Sequence, residues 1–325
     1  MKAIVCNEWC KPQDLKVSEI KNPTLDDNSV RVEIYASGVN FPDVLIVQGK
    51  YQYKPPFPFS PGSEVAGIIS EIGKNVKSLK VGDRVMAVTG HGAFAEEICV
   101  PEDKITLVPE SMDFITAASM SLTYGTSSYA LFQRANIKEH DVVLIHGATG
   151  GVGITAIEIS KAVGAKVIAT ASTDEKLKIA KEYGADYCIN YSQNEFKDKV
   201  KEYTDGKGAN IIYDPVGGDV FNQSLRCIAW NGIILVIGFA SGTIASAPTN
   251  LPLLKNCSIV GVFWGAWRER DPNGHNVNME KILKWWKENK VKPKVSKVFN
   301  LEDTKYALQA LINREVIGKA VIKVR

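Results

Sequence analysis

Seven residues, Gly147-Ala148-Thr149-Gly150-Gly151-Val152-Gly153, separate an apolar run ending at Ile145 from a segment whose apolar positions include Ile154 and Ile157. A glycine turn that leaves a strand and opens a helix collects unbonded backbone N–H groups and the positive end of the helix dipole at one point, which suits a pyrophosphate. The glycines allow a tight turn, close backbone approach to phosphate, and close packing of helix on strand. The segment therefore predicts dinucleotide binding, with Gly150, Gly151, Val152 and Gly153 at the phosphates. The competing explanation is a turn that serves packing alone, and Ala148 in the first glycine position leans that way.

The second strand decides which dinucleotide is bound. About 20 residues after the glycines, NAD-preferring sites place a carboxylate on the ribose 2′-hydroxyl. Here that place is held by Ser172, with Lys176 one helical turn further on. A hydroxyl and a cation suit a 2′-phosphate, which a carboxylate would repel. One or two charge-assisted hydrogen bonds of about 1.5–3 kcal/mol each would favour NADPH by roughly a hundredfold. The same residues also read as a helix start, with Ser172 or Thr173 as cap and Asp174 and Glu175 in the first turn. Capping does not prevent phosphate contact.

The elements that must position this chemistry follow from the patterning. From Asp141 the chain repeats an apolar strand and an amphipathic helix, with strands expected at residues 142–146, 166–170, 187–190, 210–213, 233–237 and 258–263. Most are apolar without alternation, as strands buried on both faces read, so the expectation is a parallel, doubly wound α/β sheet. Before residue 110 short alternating runs such as Val30, Val32 and Ile34 are punctuated by Gly and Pro, which predicts a β-rich domain. After Trp264 the pattern changes to helix, strand, helix and strand, a tail too small for its own core. That tail is expected to return to the first domain and leave a cleft between the two.

Composition excludes other classes. Among 325 residues, 39 Lys plus Arg face 36 Asp plus Glu, leaving a formal charge of only +3 and no basic block to track nucleic acid. No run approaches the roughly 18 apolar residues of a membrane span, and the start has no signal-peptide core, so a soluble cytoplasmic protein is expected. The six cysteines form no C-x-x-C pair and read as buried thiols in a reducing compartment.

Beyond the glycine loop, the segments Gly38-Val39-Asn40-Phe41-Pro42-Asp43, Pro61-Gly62-Ser63-Glu64, Val81-Gly82-Asp83-Arg84-Val85 and Ile189-Asn190-Tyr191 resemble the medium-chain dehydrogenase/reductase superfamily, and within it the zinc-free quinone oxidoreductase, or zeta-crystallin-like, family. The segment from Gly261 to Pro272 looks like a poorly characterised branch of that family. The resemblance implies a GroES-like β-barrel catalytic domain over residues 1–122, completed by 265–325, and a Rossmann NADPH-binding domain over residues 123–264. It implies no metal: Asn40 and Ser63 stand where zinc enzymes of the superfamily carry Cys and His, and neither is a competent zinc ligand. It also places Asn40, Thr126, Phe239 and Phe263 on the nicotinamide side and Lys176, Tyr191 and Arg314 in a 2′-phosphate clamp.

The expected reaction is hydride transfer from NADPH to a small electron-poor acceptor, a quinone, with Asn40 donating to the acceptor's oxygen and Tyr51 orienting it or relaying a proton. Tyr51 reads equally as an aromatic packing a turn. The alternatives are an alkenal or enone reductase of the same superfamily and a non-catalytic NADPH-binding protein of the crystallin type. A homodimer is expected through the edge strand near residues 258–263. His91, between two glycines, reads as a loop residue and His146 as a packing residue. Trp264 and Trp267 suit a pocket wall or a subunit contact, and Trp285 with Trp286 a helix anchor.

Overall fold

In the computed structural model, which describes every residue except Asn194, the chain divides into two compact units. Residues 123–292 form one, and residues 1–122 with 293–325 form the other.

The continuous unit is built on a six-stranded parallel sheet. Its strands, in spatial order, are Tyr187–Asn190, Lys166–Ala171, Val142–Ile145, Ala209–Asp214, Ile228–Val236 and Ser258–Gly261. Numbered along the chain this order is 3-2-1-4-5-6, the doubly wound arrangement with its switch point beside the first strand. Leu144, Ile168, Ile212 and Ile234 are fully buried, as strands covered on both faces require. Helix Gly151–Val163 stops at Gly164, whose φ of 93° gives a left-handed cap.

The helices that follow the last strand belong to this unit, not to the other. The sequence reading returns the chain to the first domain at 265, whereas the units divide after Lys292. Packing supplies the reason. The Trp264 ring presses on Gly125, where a Cβ would stand 2.6 Å from it. Trp267 stacks on Tyr129 at 4.3 Å, Asn278 exchanges 3.0 Å hydrogen bonds with Gln133, and Met279 and Ile282 are buried. These contacts tie helices Trp264–Arg270 and Pro272–Lys287 to the segment just after residue 122.

The discontinuous unit carries a seven-stranded sheet whose long central strand, Ser29–Val39, pairs antiparallel with Glu64–Ile72, Glu97–Pro101 and the late strand Lys319–Lys323. Val30, Val32 and Ile34 are buried while Arg31 and Glu33 are partly exposed, the alternation expected of a sheet with one solvated face. The ladder continues through Arg84–Val88 to Ile105–Leu107 and, on the other side, to Val295–Asn300, and it does not itself close into a ring. Among the described residues no helix is long and apolar enough to cross a membrane, and all six cysteines are free.

Candidate functional site

In the continuous unit the glycine segment closes a turn at the end of the first strand. Gly147 takes φ 55°, Gly150 N–H donates to the Gly147 carbonyl at 2.9 Å, and Gly150 is the N-cap of helix Gly151–Val163 with no side chain capping it. The first helical bond comes from Ile154 N–H to the Gly150 carbonyl at 3.0 Å. The amides of Gly151, Val152 and Gly153 are therefore the helix's unbonded donors, and no carboxylate stands in the first turn. A Cβ at Gly153 would sit 2.3 Å from the Gly147 carbonyl oxygen, so this glycine is what lets the helix seat on its turn. Beneath, Ser127 Oγ donates to the Val152 carbonyl at 3.0 Å and lies 2.9 Å from Tyr213 Oη and 2.8 Å from Thr155 Oγ1. The donor set fits the pyrophosphate of a dinucleotide.

The parallel neighbours Lys166–Ala171 and Tyr187–Asn190 end side by side, so Ser172 and Tyr191 follow at one edge, and Lys176 lies in the first turn of the helix after Thr173. Tyr191 N–H donates to the Ala171 carbonyl at 3.2 Å, and the tyrosine ring is exposed. Thr173 rather than Ser172 caps helix Asp174–Glu182, accepting from Lys176 N–H at 3.3 Å, so the Ser172 hydroxyl is not used as the cap. Asp174, in the first turn of that helix, accepts a 2.7 Å hydrogen bond from Asn190 Nδ2. A cavity of about 320 Å³ opens beside Tyr191, and Glu195 and Asp219 in its wall suit it to a neutral ring better than to a phosphate. Phe239 and Phe263 follow the adjacent strands Ile228–Val236 and Ser258–Gly261 and are both exposed; Thr126 is half-buried in helix Ser121–Ser128. Arg314 belongs to the other unit, at φ 59° just beyond helix Thr304–Ile312.

In the discontinuous unit Asn40 is the N-cap of helix Phe41–Val47 and lies in a buried polar network. Its backbone N–H donates to Asp43 Oδ2 at 2.8 Å, half of a capping box. Its side-chain amide is held on both sides: Oδ1 accepts from Lys319 Nζ, and Nδ2 donates to Glu64 Oε2 at 3.1 Å and, more weakly, to the Gly38 carbonyl at 3.4 Å. Glu64 also pairs with Lys319 Nζ at 2.8 Å and takes Leu122 N–H on its other oxygen at 2.9 Å. Lys319 completes its three bonds at the Val39 carbonyl, 3.2 Å away. A Cβ at Gly38 would stand 2.4 Å from Glu64 Oε2, so this glycine makes room for the network. Ser63 Oγ donates to Asp43 Oδ1 at 3.1 Å, and burial pushes the Asp43 carboxyl up to about 7.

Tyr51 is half-buried against the core that contains Val44 and Val47. Burial, and then the nearby Asp43 charge, raise its pKa, so its phenol holds its proton firmly. His91 pairs with Tyr53, a partnership that spacing alone does not reveal. His146 lies buried between Thr170 Oγ1 and Ser224 Oγ, both at 2.9 Å, and burial lowers it to about 4, so it packs as expected.

Two family descriptions match the chain: "Alcohol dehydrogenase GroES-like domain" over residues 26–110 and "Zinc-binding dehydrogenase" over residues 151–276. With the fold and the phosphate turn, these define a medium-chain dehydrogenase/reductase. The sequence is 43% identical to a quinone oxidoreductase-like protein 2 homolog of Nematostella vectensis, covering 100% of this chain and 89% of the relative. It is 38% identical to quinone oxidoreductase-like protein 2 of Rattus norvegicus, covering 100% and 92%. A crystal structure of Escherichia coli quinone oxidoreductase complexed with NADPH superposes with a TM-score of 0.91 at 29% identity, covering 100% of both chains. The chain belongs to the zinc-free quinone oxidoreductase family of this superfamily.

The second family description raises the question of zinc, and the donor set here does not fit it. An amide and a hydroxyl replace soft or imidazole ligands, and the adjacent carboxylate, Glu64, is already taken by the Lys319 ammonium. Among the described residues no group of three His, Cys, Asp or Glu is placed to hold a metal ion.

Proposed function

We propose that this oxidoreductase binds NADPH and reduces a small electron-poor acceptor, a quinone in the first instance. The reading rests on the helix N-terminus at residues 150–153 together with a hydroxyl and a cation, in place of a carboxylate, beyond the second strand. The Gly151 and Val152 amides take the pyrophosphate, Ser172, Lys176, Tyr191 and Arg314 the 2′-phosphate, and Asn40, Thr126, Phe239 and Phe263 the nicotinamide. Bound there, the cofactor supplies a hydride. Asn40 gives up its long bond to Gly38 and donates to the acceptor's oxygen as charge builds on it, while Tyr51 orients the acceptor.

Steady-state assays with 1,4-naphthoquinone and 3-penten-2-one check this reading. NADPH should outperform NADH in kcat/KM by about a hundredfold, and Lys176→Glu should remove that preference. Equal use of NADH would end the cofactor assignment. Turnover of the enone alone would favour the alkenal or enone reductase, and NADPH binding without oxidation a ligand-holding role. Asn40→Ala and Tyr51→Phe both leaving kcat and KM unchanged would remove their roles.

The same proposal includes a homodimer working in the cytoplasm, where six free thiols stay reduced. Strand Ser258–Gly261 is paired on one side only, and its Ile259, with Trp230, Leu253 and Leu254, is exposed. Two copies joined edge to edge about a two-fold axis would cover that strand. Light scattering at assay concentration should give twice the 35.6 kDa chain mass, and a monomer mass would sink the dimer.

A further inference from the structure

Tyr53 and His91 form a pair that the roles above leave unused. Tyr53 Oη lies 2.9 Å from His91 Nδ1, and the two rings stand 6.0 Å apart. Gly90 permits the arrangement, because a Cβ there would fall 2.9 Å from the tyrosine oxygen. Tyr53 is 42% exposed, and both its ring and its hydroxyl lie close over Gly90.

The pair connects to Asn40 through an unbroken run of hydrogen bonds within one unit. Asp43 accepts from the Asn40 backbone N–H at 2.8 Å and from the Ser63 hydroxyl at 3.1 Å. The Ser63 carbonyl accepts Thr89 N–H at 2.7 Å, and Thr89 Oγ1 donates to the His91 carbonyl at 3.0 Å. Gly92 N–H fixes the far side of the loop on the Ser60 carbonyl at 2.7 Å. The Tyr53 hydroxyl is thus tied, through hydrogen bonds and the backbone between them, to the residue whose side-chain amide is assigned to the acceptor's oxygen.

We propose that Tyr53 is the proton donor that completes reduction of the acceptor and that His91 restores its proton. The inference deepens the proposed function and rests on it. Hydride addition places one hydrogen and two electrons on the acceptor and leaves negative charge on its oxygen. The Tyr53 O–H bond breaks as a new O–H bond forms at that oxygen. The phenolate then takes the hydrogen from His91 Nδ1 while Nε2 takes one from water, so the imidazole stays neutral, and exchange of its ring hydrogen with solvent returns the starting tautomer before the next turnover. One acceptor consumes one hydride and one solvent proton.

Tyr51, the rival donor, is worse placed for this work. Its burial and the Asp43 charge both oppose loss of its proton. His91 is held below the usual imidazole range by burial, which keeps it neutral near pH 7, with one ring nitrogen protonated and the other able to accept.

The test uses the full chain, NADPH, and whichever of 1,4-naphthoquinone and 3-penten-2-one the wild type reduces faster. Tyr53→Phe should lower kcat by about 10²-fold or more, the usual span for general acid catalysis, with NADPH affinity by fluorescence and KM for NADPH unmoved. His91→Asn, which retains a donor toward Tyr53 but cannot relay, should also lower kcat and enlarge the solvent deuterium isotope effect. Turnover within twofold of wild type for either variant overturns the proposal, as does a Tyr53→Phe loss that falls entirely in NADPH affinity. A wild type that reduces neither acceptor sinks the parent reading and this one together. An active wild type matched by Tyr53→Phe sinks only the proton donor.

Discussion

Lys319→Met is expected to destabilise the discontinuous unit by roughly 3–5 kcal/mol, the usual cost of stripping one partner from a buried ion pair. The Lys319 side chain is 6% exposed and that of Glu64 not at all. Methionine keeps most of the lysine's volume but leaves the carboxylate buried without its cation, and the Asn40 side-chain oxygen without the Lys319 donor. Amide hydrogen exchange along strand Ser29–Val39 would read the loss, because Lys319–Lys323 pairs directly with that strand. Adding Glu64→Gln should recover more than half of it, since the uncompensated charge then disappears. A single variant whose protection falls by less than about 1 kcal/mol would show that the pair carries little of the unit's stability.

Gly153→Val should have the largest effect on cofactor binding. The first atoms of any side chain there meet backbone, at 2.3 Å from the Gly147 oxygen and 2.8 Å from Ala148, and no rotamer change relieves that. Helix Gly151–Val163 must back away from its turn, taking the Gly151 and Val152 amides with it. Overpacking of this kind costs about 1–3 kcal/mol, and if the whole cost falls on the bound state, NADPH affinity drops about 5- to 150-fold. Gly82→Val serves as the comparison, because a Cβ at Gly82 meets nothing within 4 Å, although its φ of 92° adds backbone strain of its own. Titration by NADPH fluorescence decides the matter: affinity unchanged in Gly153→Val would mean that phosphate is not held at this helix end.

The two units differ in how far their residues announced them. In the continuous unit every expected strand is present and the ends shift by only a few residues, because runs such as Val142–Ile145 are apolar on both faces and are bounded by turns. The glycine turn was legible for the same local reason. The partner of residues 265–292 is not legible, since apolar residues such as Trp264, Met279 and Ile282 on two helices say that these will be buried but not against which neighbour. Long-range partners were the hardest to see. Glu64 stood within a recognised segment and Lys319 beside a glycine, 255 residues apart, and nothing local marks them as an ion pair. The local sign is a buried-strand pattern, Ala320–Ile322, with a lysine directly before it. The glycines on either side of His91 mark it as a loop residue, but its partner Tyr53 lies 38 positions earlier, beyond the reach of any periodicity.

The discontinuous unit has a consequence for biosynthesis. Strand Lys319–Lys323, which flanks Ser29–Val39 and brings Lys319 to Glu64, leaves the ribosome long after the strand it pairs with. Translation at about 5–20 residues per second separates residue 122 from residue 319 by tens of seconds. The intervening unit, whose sheet draws on residues 142–261 alone, can fold in that interval. Meanwhile the earlier strands wait with an open edge and a buried-to-be carboxylate lacking its counter-ion, so nascent chains should depend on chaperone protection until Lys319–Lys323 emerges.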